Sequence, residues 1–114
     1  FFRSIQVKTD LEETANVLRD AAALHVFRIV QELFNNTIKY AKAKTIVLTM
    51  KFIENAVHLH YQDDGKGFVL AEGKLAKGLG LSGIENRAAI LNATVTFESK
   101  PNEGMTLRLK VPTN

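Results

Sequence analysis

The sequence predicts an α+β fold, a two-layer sandwich in which a mixed, mostly antiparallel five-stranded sheet is covered on one face by three helices. Two observations carry that expectation. Apolar and polar residues alternate over residues 1–8, 45–52, 56–63, 93–99 and 105–111, the two-residue period of half-buried strands. Residues 21–41 contain no Gly or Pro, and their apolar positions recur at the helical period. At 114 residues the chain is expected to form one domain over its whole length, residues 1–114.

Each element follows from its local chemistry. In residues 1–8, Ile5 and Val7 oppose Ser4 and Gln6, which reads as an edge strand. Asp10 and Glu13 have capping-box spacing, so a short amphipathic helix is expected from there to about residue 18. Asp20 restarts the helical pattern. Ala23, Val26, Phe27, Val30, Leu33, Phe34, Ile38 and Ala41 then form one apolar stripe, with Lys42 and Lys44 at the end that the helix dipole favours.

Ile46, Leu48, Met50 and Phe52 share one face of the next strand, and Glu54-Asn55 turns it into an antiparallel hairpin. On the returning strand Val57, Leu59 and Tyr61 take one face, and His58, His60 and Gln62 the other. That alternation carries Asp63 inward and leaves Asp64 toward water. Residues 68–77 lack periodicity and read as a mobile loop. Ser82 and Glu85 fit a capping box opening a helix through residue 91, where Asn92 supplies a left-handed cap. The last two strands are joined by a turn containing Pro101, Asn102 and Gly104, and Pro112 stops the second of them.

Composition narrows the function. Hydrophobic residues make up 46% and charged residues 24%, the proportions of a folded globular protein, and no internal repeat is present. The absence of cysteine excludes disulfides, thiolate catalysis and thiolate metal sites, and agrees with a reducing cytoplasm. No apolar run approaches the roughly 20 residues of a membrane span, so a soluble domain without direct membrane contact is expected. The net charge of +3 and pI near 9.3 would suit a polyanion. The lysines are scattered, however, and no exposed aromatic array accompanies them, so nucleic acid is not the expected partner.

The informative residues cluster at three places. An inward carboxylate at Asp63 is costly unless hydrogen-bond donors meet it, and Gly65 and Gly67 beyond it remove side chains where another group could approach. An adenine amino group is one candidate donor. On the long helix Arg28, Glu32, Asn35, Asn36 and Lys39 fall within about 100° of one another. They form either a solvated face or a set of oxygen ligands and counter-charge suited to a magnesium-bound triphosphate. Thirdly, Gly78-Leu79-Gly80-Leu81-Ser82-Gly83 spells GxGxxG, but a polar loop precedes it where a dinucleotide fold has a buried strand. Glycines leading into a capped helix still offer backbone N–H groups to an anion, or simply a flexible turn. No P-loop, histidine metal spacing or GxSxG elbow occurs, and His25, His58 and His60 are assigned no role.

The order Gln31-Glu32-Leu33-Phe34-Asn35-Asn36 with Lys39, then Asp63, Gly65 and Gly67, then Gly78, Gly80 and Leu81 with Arg87, then Gly104, resembles the ATP-binding catalytic domain of sensor histidine kinases. The likeness is to the short-lid, nitrate-sensor-like subgroup of the superfamily that includes gyrase, heat-shock chaperone and mismatch-repair ATPases, whose architecture is the Bergerat fold. The resemblance implies ATP and Mg²⁺ as cofactors. It implies that Asn36 binds the metal, Glu32 orients the reacting groups and Lys39 contacts phosphate. Asp63 would hold the adenine amino group, Gly65 and Gly67 would admit the base, and Gly78, Gly80 and Leu81 would form the lid hinge.

Two positions depart from the pattern. Tyr40 stands where similar kinases often have histidine, and Met105 stands where the family has a threonine near adenine, with Thr106 facing the other side. The implied partners are a histidine-bearing dimerisation domain, expected to lie outside this chain, and a response-regulator receiver domain, with homodimerisation a property of the full-length protein. Weak activity is expected from the isolated domain. An anti-sigma-type serine kinase, an ATPase of the same superfamily and a non-catalytic nucleotide-binding module are the alternatives.

Overall fold

Five strands form one sheet in the order β1-β2-β3-β5-β4, and a computed structural model describes residues 4–11, 18–67 and 81–113 of it and its covering helices. The strands are β1 (Gln6–Leu11), β2 (Thr45–Ile53), β3 (Ala56–Asp63), β4 (Thr94–Ser99) and β5 (Met105–Pro112). β1 runs parallel to β2 and every other pairing is antiparallel, which makes the sheet mixed as expected. Glu54 and Asn55 turn β2 into β3 with φ of 51° and 62°, the left-handed pair that a tight hairpin needs.

Among the described residues two helices, not three, cover the sheet: α1 (Asp20–Asn36), continued by a turn of π-helix at Thr37–Ala41, and α2 (Leu81–Ile90). Asp10, read from the sequence as a helix cap, lies instead in β1, where its carboxylate accepts a hydrogen bond from Lys51 Nζ at 2.9 Å. The alternation of Val7, Thr9 and Leu11 continues through it. Pairing all six residues of β1 with β2 outweighs a cap worth about 1 kcal/mol. The rest of that expected helix, residues 12–17, lies outside the described residues, as do residues 68–80. Ser82 sits within the first turn of α2, which already includes Leu81. Asn92 follows with φ 54°, the left-handed stop expected of it.

The core fills the space between helices and sheet. Val26, Ile29 and Leu33 of α1 and Leu81, Ile84 and Ala88 of α2 pack over Ile46, Leu48, Val57, Leu59, Tyr61, Leu107, Leu109 and Val111. The buried face of α1 differs from the predicted stripe. Phe27 and Ile38 are 57% and 63% exposed, while Ile29, absent from that stripe, is fully buried. The helix is turned by about 60° toward its polar side, at 100° per residue. Branched Ile29, Leu33 and Thr37 therefore meet the sheet, and Asn36 is carried to the rim of the core. No described helix is long and apolar enough to cross a membrane.

The rotation has a measurable consequence. Leu33→Ala should lower unfolding free energy by about 2–5 kcal/mol, whereas Phe27→Ala should change it by less than about 1 kcal/mol, as read from urea denaturation. Equal losses would contradict the observed helix face.

Candidate functional site

Asp63 ends β3 on the inner face and is 3% exposed, one of two buried polar side chains among the described residues. The other is Thr37, the first residue of the π-helical turn. Thr37 Oγ1 donates to Asp63 Oδ2 at 2.9 Å, and the Gly65 backbone N–H donates to Asp63 Oδ1 at 3.0 Å. Each carboxylate oxygen thus has one donor and keeps further acceptor capacity. Tyr61, fully buried two residues earlier on the same face, sets its hydroxyl against Thr37 Oγ1 and within 3.2 Å of the Leu33 carbonyl oxygen. Burial pushes the Tyr61 phenol well above its ordinary range. The Thr37 hydrogen bond opposes that shift, and the nearby Asp63 charge adds to it. The phenol therefore stays protonated and serves as a donor.

Two further contacts fix the end of β3. Asp64 is exposed, as its strand position requires, but Oδ1 accepts the backbone N–H groups of Lys44 and Thr45 at 2.8 and 2.9 Å. The Thr45 amide is the main reason that the Asp64 carboxyl lies below its usual range; burial pushes the other way and the Lys44 amide adds to the lowering. Beneath Asp63 the turn between β4 and β5 presses on the backbone. A Cβ on Gly104, which has φ 75°, would overlap the Asp63 carbonyl oxygen, and a Cβ on Gly67, φ 62°, would overlap the Lys100 carbonyl oxygen. Both glycines therefore have a packing reason in the chain itself. Met105 pairs with Asp63 and is buried, while Thr106 pairs with Gln62 on the sheet's open side.

Asn36 precedes Thr37, the residue that bonds Asp63. The Asn36 Nδ2 atom is buried and has no hydrogen-bond partner. An unpaired buried amide costs about 1–3 kcal/mol, and a ligand accepting from it would remove that cost. Because the two ends of a carboxamide exchange by a flip, the same group can offer its oxygen to a hard cation. Magnesium takes few protein ligands and completes its shell with phosphates and water, which this single amide fits.

Glu32 lies one turn before Asn36 and is half-buried. It lines a cavity of about 390 Å³ between α1 and α2 with Arg28, Gln31, Gly83, Ile84 and Arg87. Lys39 and Asn35 are exposed. Gly65 is buried, and Leu81 is 1% exposed inside the core cluster, where it anchors the start of α2. Gly78 and Gly80 fall outside the described residues. His58 and His60 occupy the sheet face away from the helices, as their alternation predicts.

Three features escaped the reading of the sequence. Thr37 follows Leu33 by one helical turn, and that spacing marks it as inward. Tyr61 on a buried strand face needs a partner for its phenol, a signal that pointed to a polar neighbour without naming it. The contact of Arg87 Nη1 with His25 Nδ1 at 3.0 Å joins residues 62 positions apart and has no local signature.

The chain belongs to the histidine kinase-, DNA gyrase B- and HSP90-like ATPase family, whose pattern matches residues 21–114. It is 36% identical over 87 residues to the oxygen sensor histidine kinase NreB of Staphylococcus carnosus, a match covering 76% of this chain and 25% of that protein. It is 35% identical over 89 residues to the signal transduction histidine-protein kinase/phosphatase DegS of Bacillus subtilis, covering 76% of this chain and 23% of DegS. The chain thus spans about a quarter of the length of these relatives. Among solved structures, the blue-light activated histidine kinase of Erythrobacter litoralis superposes with a TM-score of 0.82 at 16% identity, covering 96% of this chain and 35% of that one. The histidine kinase AdeS of Acinetobacter baumannii gives 0.75 at 18% identity, over 96% and 55%. At such identities the structural likeness speaks for the fold.

Replacing Thr37 by Val keeps its shape and removes the hydroxyl. That change should cost about 1–3 kcal/mol of stability, whereas Thr37→Ser should restore most of it; urea denaturation of the two variants checks the pair. Gly104→Ala adds a Cβ at a left-handed position against the Asp63 carbonyl. It should lower stability by more than about 1 kcal/mol, measured in the same way.

Proposed function

We propose that this chain is the ATP-binding catalytic domain of a sensor histidine kinase. It binds Mg-ATP between the end of β3 and α1 and presents the γ-phosphoryl group to a histidine on a separate dimerisation domain. The phosphate then passes to an aspartate of a response-regulator receiver domain. The observation that carries this reading is the buried Asp63 carboxylate, oriented by Thr37 and Gly65, together with the buried, unpartnered amide of Asn36, the residue before Thr37.

The residues divide the work along the nucleotide. Asp63 accepts from the adenine amino group, and Gly65 and Gly67 admit the base to the turn beyond it, Gly67 by letting the Lys100 carbonyl pack where a side chain would stand. Asn36 holds the Mg²⁺, which neutralises phosphate charge when bound. Lys39 adds a cation for the phosphates, and Glu32 orients the reacting groups one turn away. Gly78, Gly80 and Leu81 are assigned to the lid hinge on the strength of their motif. Phosphoryl transfer asks a protein mainly for positioning and charge stabilisation, and this set supplies both for the donor. The acceptor histidine comes from outside it, so the isolated chain turns over poorly. The domain works in the cytoplasm, within a homodimeric parent whose stimulus-sensing part is separate.

Calorimetry with adenine nucleotides tests the reading. The chain should bind Mg-ATP and Mg-ADP and discriminate against GTP. Asp63→Asn should weaken ATP binding by about 10–100-fold, the loss of a charge-assisted hydrogen bond. Asn36→Ala should abolish the magnesium dependence while the chain remains folded by circular dichroism. No heat with any adenine nucleotide, or unchanged magnesium dependence in Asn36→Ala, would refute the assignment.

A further inference from the structure

The cavity between α1 and α2 holds three charged side chains that do not pair with one another. Arg28, Glu32 and Arg87 all line its roughly 390 Å³, a volume within the usual range of small-ligand sites. Among the described residues Glu32 has no hydrogen-bond or ion-pair partner, and neither arginine meets a carboxylate. Arg28 donates instead to its own helix, to Gln31 Oε1 at 2.9 Å. Two guanidiniums and a carboxylate facing one space without closing on each other leave room for a group carrying both acceptors and a donor. A phosphoryl group meeting an imidazole has that combination.

Arg87 is held from behind. Arginine has no acceptor, so in its 3.0 Å contact with His25 the Nδ1 atom accepts. One guanidinium nitrogen is taken, and the remaining N–H groups of the fork stay available to the cavity. His25 and Glu32 lie two turns apart on the same line of α1, since seven residues return the helix to within about 20°. The line continues through Asn36 to the neighbour of Thr37. Asn36, Glu32 and Arg28 thus follow one another along α1 away from the Asp63 end, and Arg87 reaches the same cavity from α2.

Resting on the nucleotide reading given above, we infer that Arg87 and Arg28 clamp the phosphoryl group as it moves to the acceptor histidine, and that His25 is a positioning residue for Arg87. In that step the bond from the γ-phosphorus to the bridging oxygen breaks and its electron pair leaves with ADP. A bond from an unprotonated imidazole nitrogen to phosphorus forms, and the ring's other N–H stays on the acceptor. The arginines neutralise the equatorial oxygens without exchanging a proton. The clamp acts on transfer and not on nucleotide affinity, because adenine and metal are gripped elsewhere.

The test uses the complete kinase with γ-labelled ATP at saturation, read beside Mg-ADP affinity by calorimetry. Arg87→Met should slow labelling of the histidine by about 10²-fold or more while the Mg-ADP dissociation constant stays within about twofold. Arg87→Lys, which keeps charge and loses the fork, should fall between wild type and Arg87→Met. His25→Leu should slow transfer by about tenfold, and His25→Asn, whose amide oxygen can accept from Arg87, should restore it; a merely structural role would not distinguish those two. Transfer at the wild-type rate in Arg87→Met, or loss of Mg-ADP affinity in proportion to rate, overturns the clamp and leaves the nucleotide site standing. Absence of Mg-ADP binding by the wild type overturns both.

Discussion

The hydrogen bond from Thr37 to Asp63 joins the two layers of this protein at one point. A carboxylate buried to 3% exposure is tolerated only with donors in place, so the strand end and the helix end must meet in one relative position. Tyr61 reinforces the joint by pressing its hydroxyl against Thr37 and toward the Leu33 carbonyl. The π-helical turn beginning at Thr37 belongs to the same arrangement. The Leu33 carbonyl that the phenol reaches also accepts the Thr37 backbone N–H, and π-turns of this kind recur at functional sites. Stability and site geometry here share the same few atoms.

Much of this was legible in the sequence, and the reasons differ by element. The strands β2, β3, β4 and β5 are readable because each turns one face, buried or in β4 half-buried, toward the helices, so apolar residues recur at a period of two. Asp63 was placed inward by counting from Val57, and the hairpin by Glu54-Asn55. β1 was harder, since all six of its residues are exposed and its alternation carries little contrast. Asp10 then imitated a cap. The face of α1 was misjudged for the opposite reason: that helix is apolar on more than one side, with Leu24, Phe27 and Ile38 exposed. Periodicity alone cannot choose between two apolar rows; the partner sheet does.

The sequence singles out candidate residues where one residue type is unusual for its place, and is silent where an arrangement depends on pairs. Asn36 and Glu32 stand out because amide and acid one turn apart on a helix invite a ligand. Thr37 does not, because a buried threonine at core spacing is ordinary. The contact of Arg87 with His25 is a meeting of two helices, and nothing local in either segment announces it. Gly104 shows an intermediate case. A glycine in a turn is expected, but its close approach to the Asp63 carbonyl ties it to the site across the sheet.

On the proposed nucleotide reading, these constraints also bear on which base Asp63 would accept. With one donor from Thr37 and one from Gly65, the carboxylate is a rigid acceptor whose unused lone pairs call for an N–H. A base that offers an amino group at that edge satisfies it. A base that offers a carbonyl oxygen there would set oxygen against oxygen, leaving two buried acceptors unpaired at about 1–3 kcal/mol each. Sites built around such a group reject the mismatched partner far more strongly than an apolar pocket rejects a missing methylene. Met105, paired with Asp63 and buried in the core, adds no competing donor there. On the proposed nucleotide reading, selectivity for the base rests on one oriented carboxylate, and the packing of Thr37, Tyr61 and Gly104 around it fixes that orientation in the chain itself.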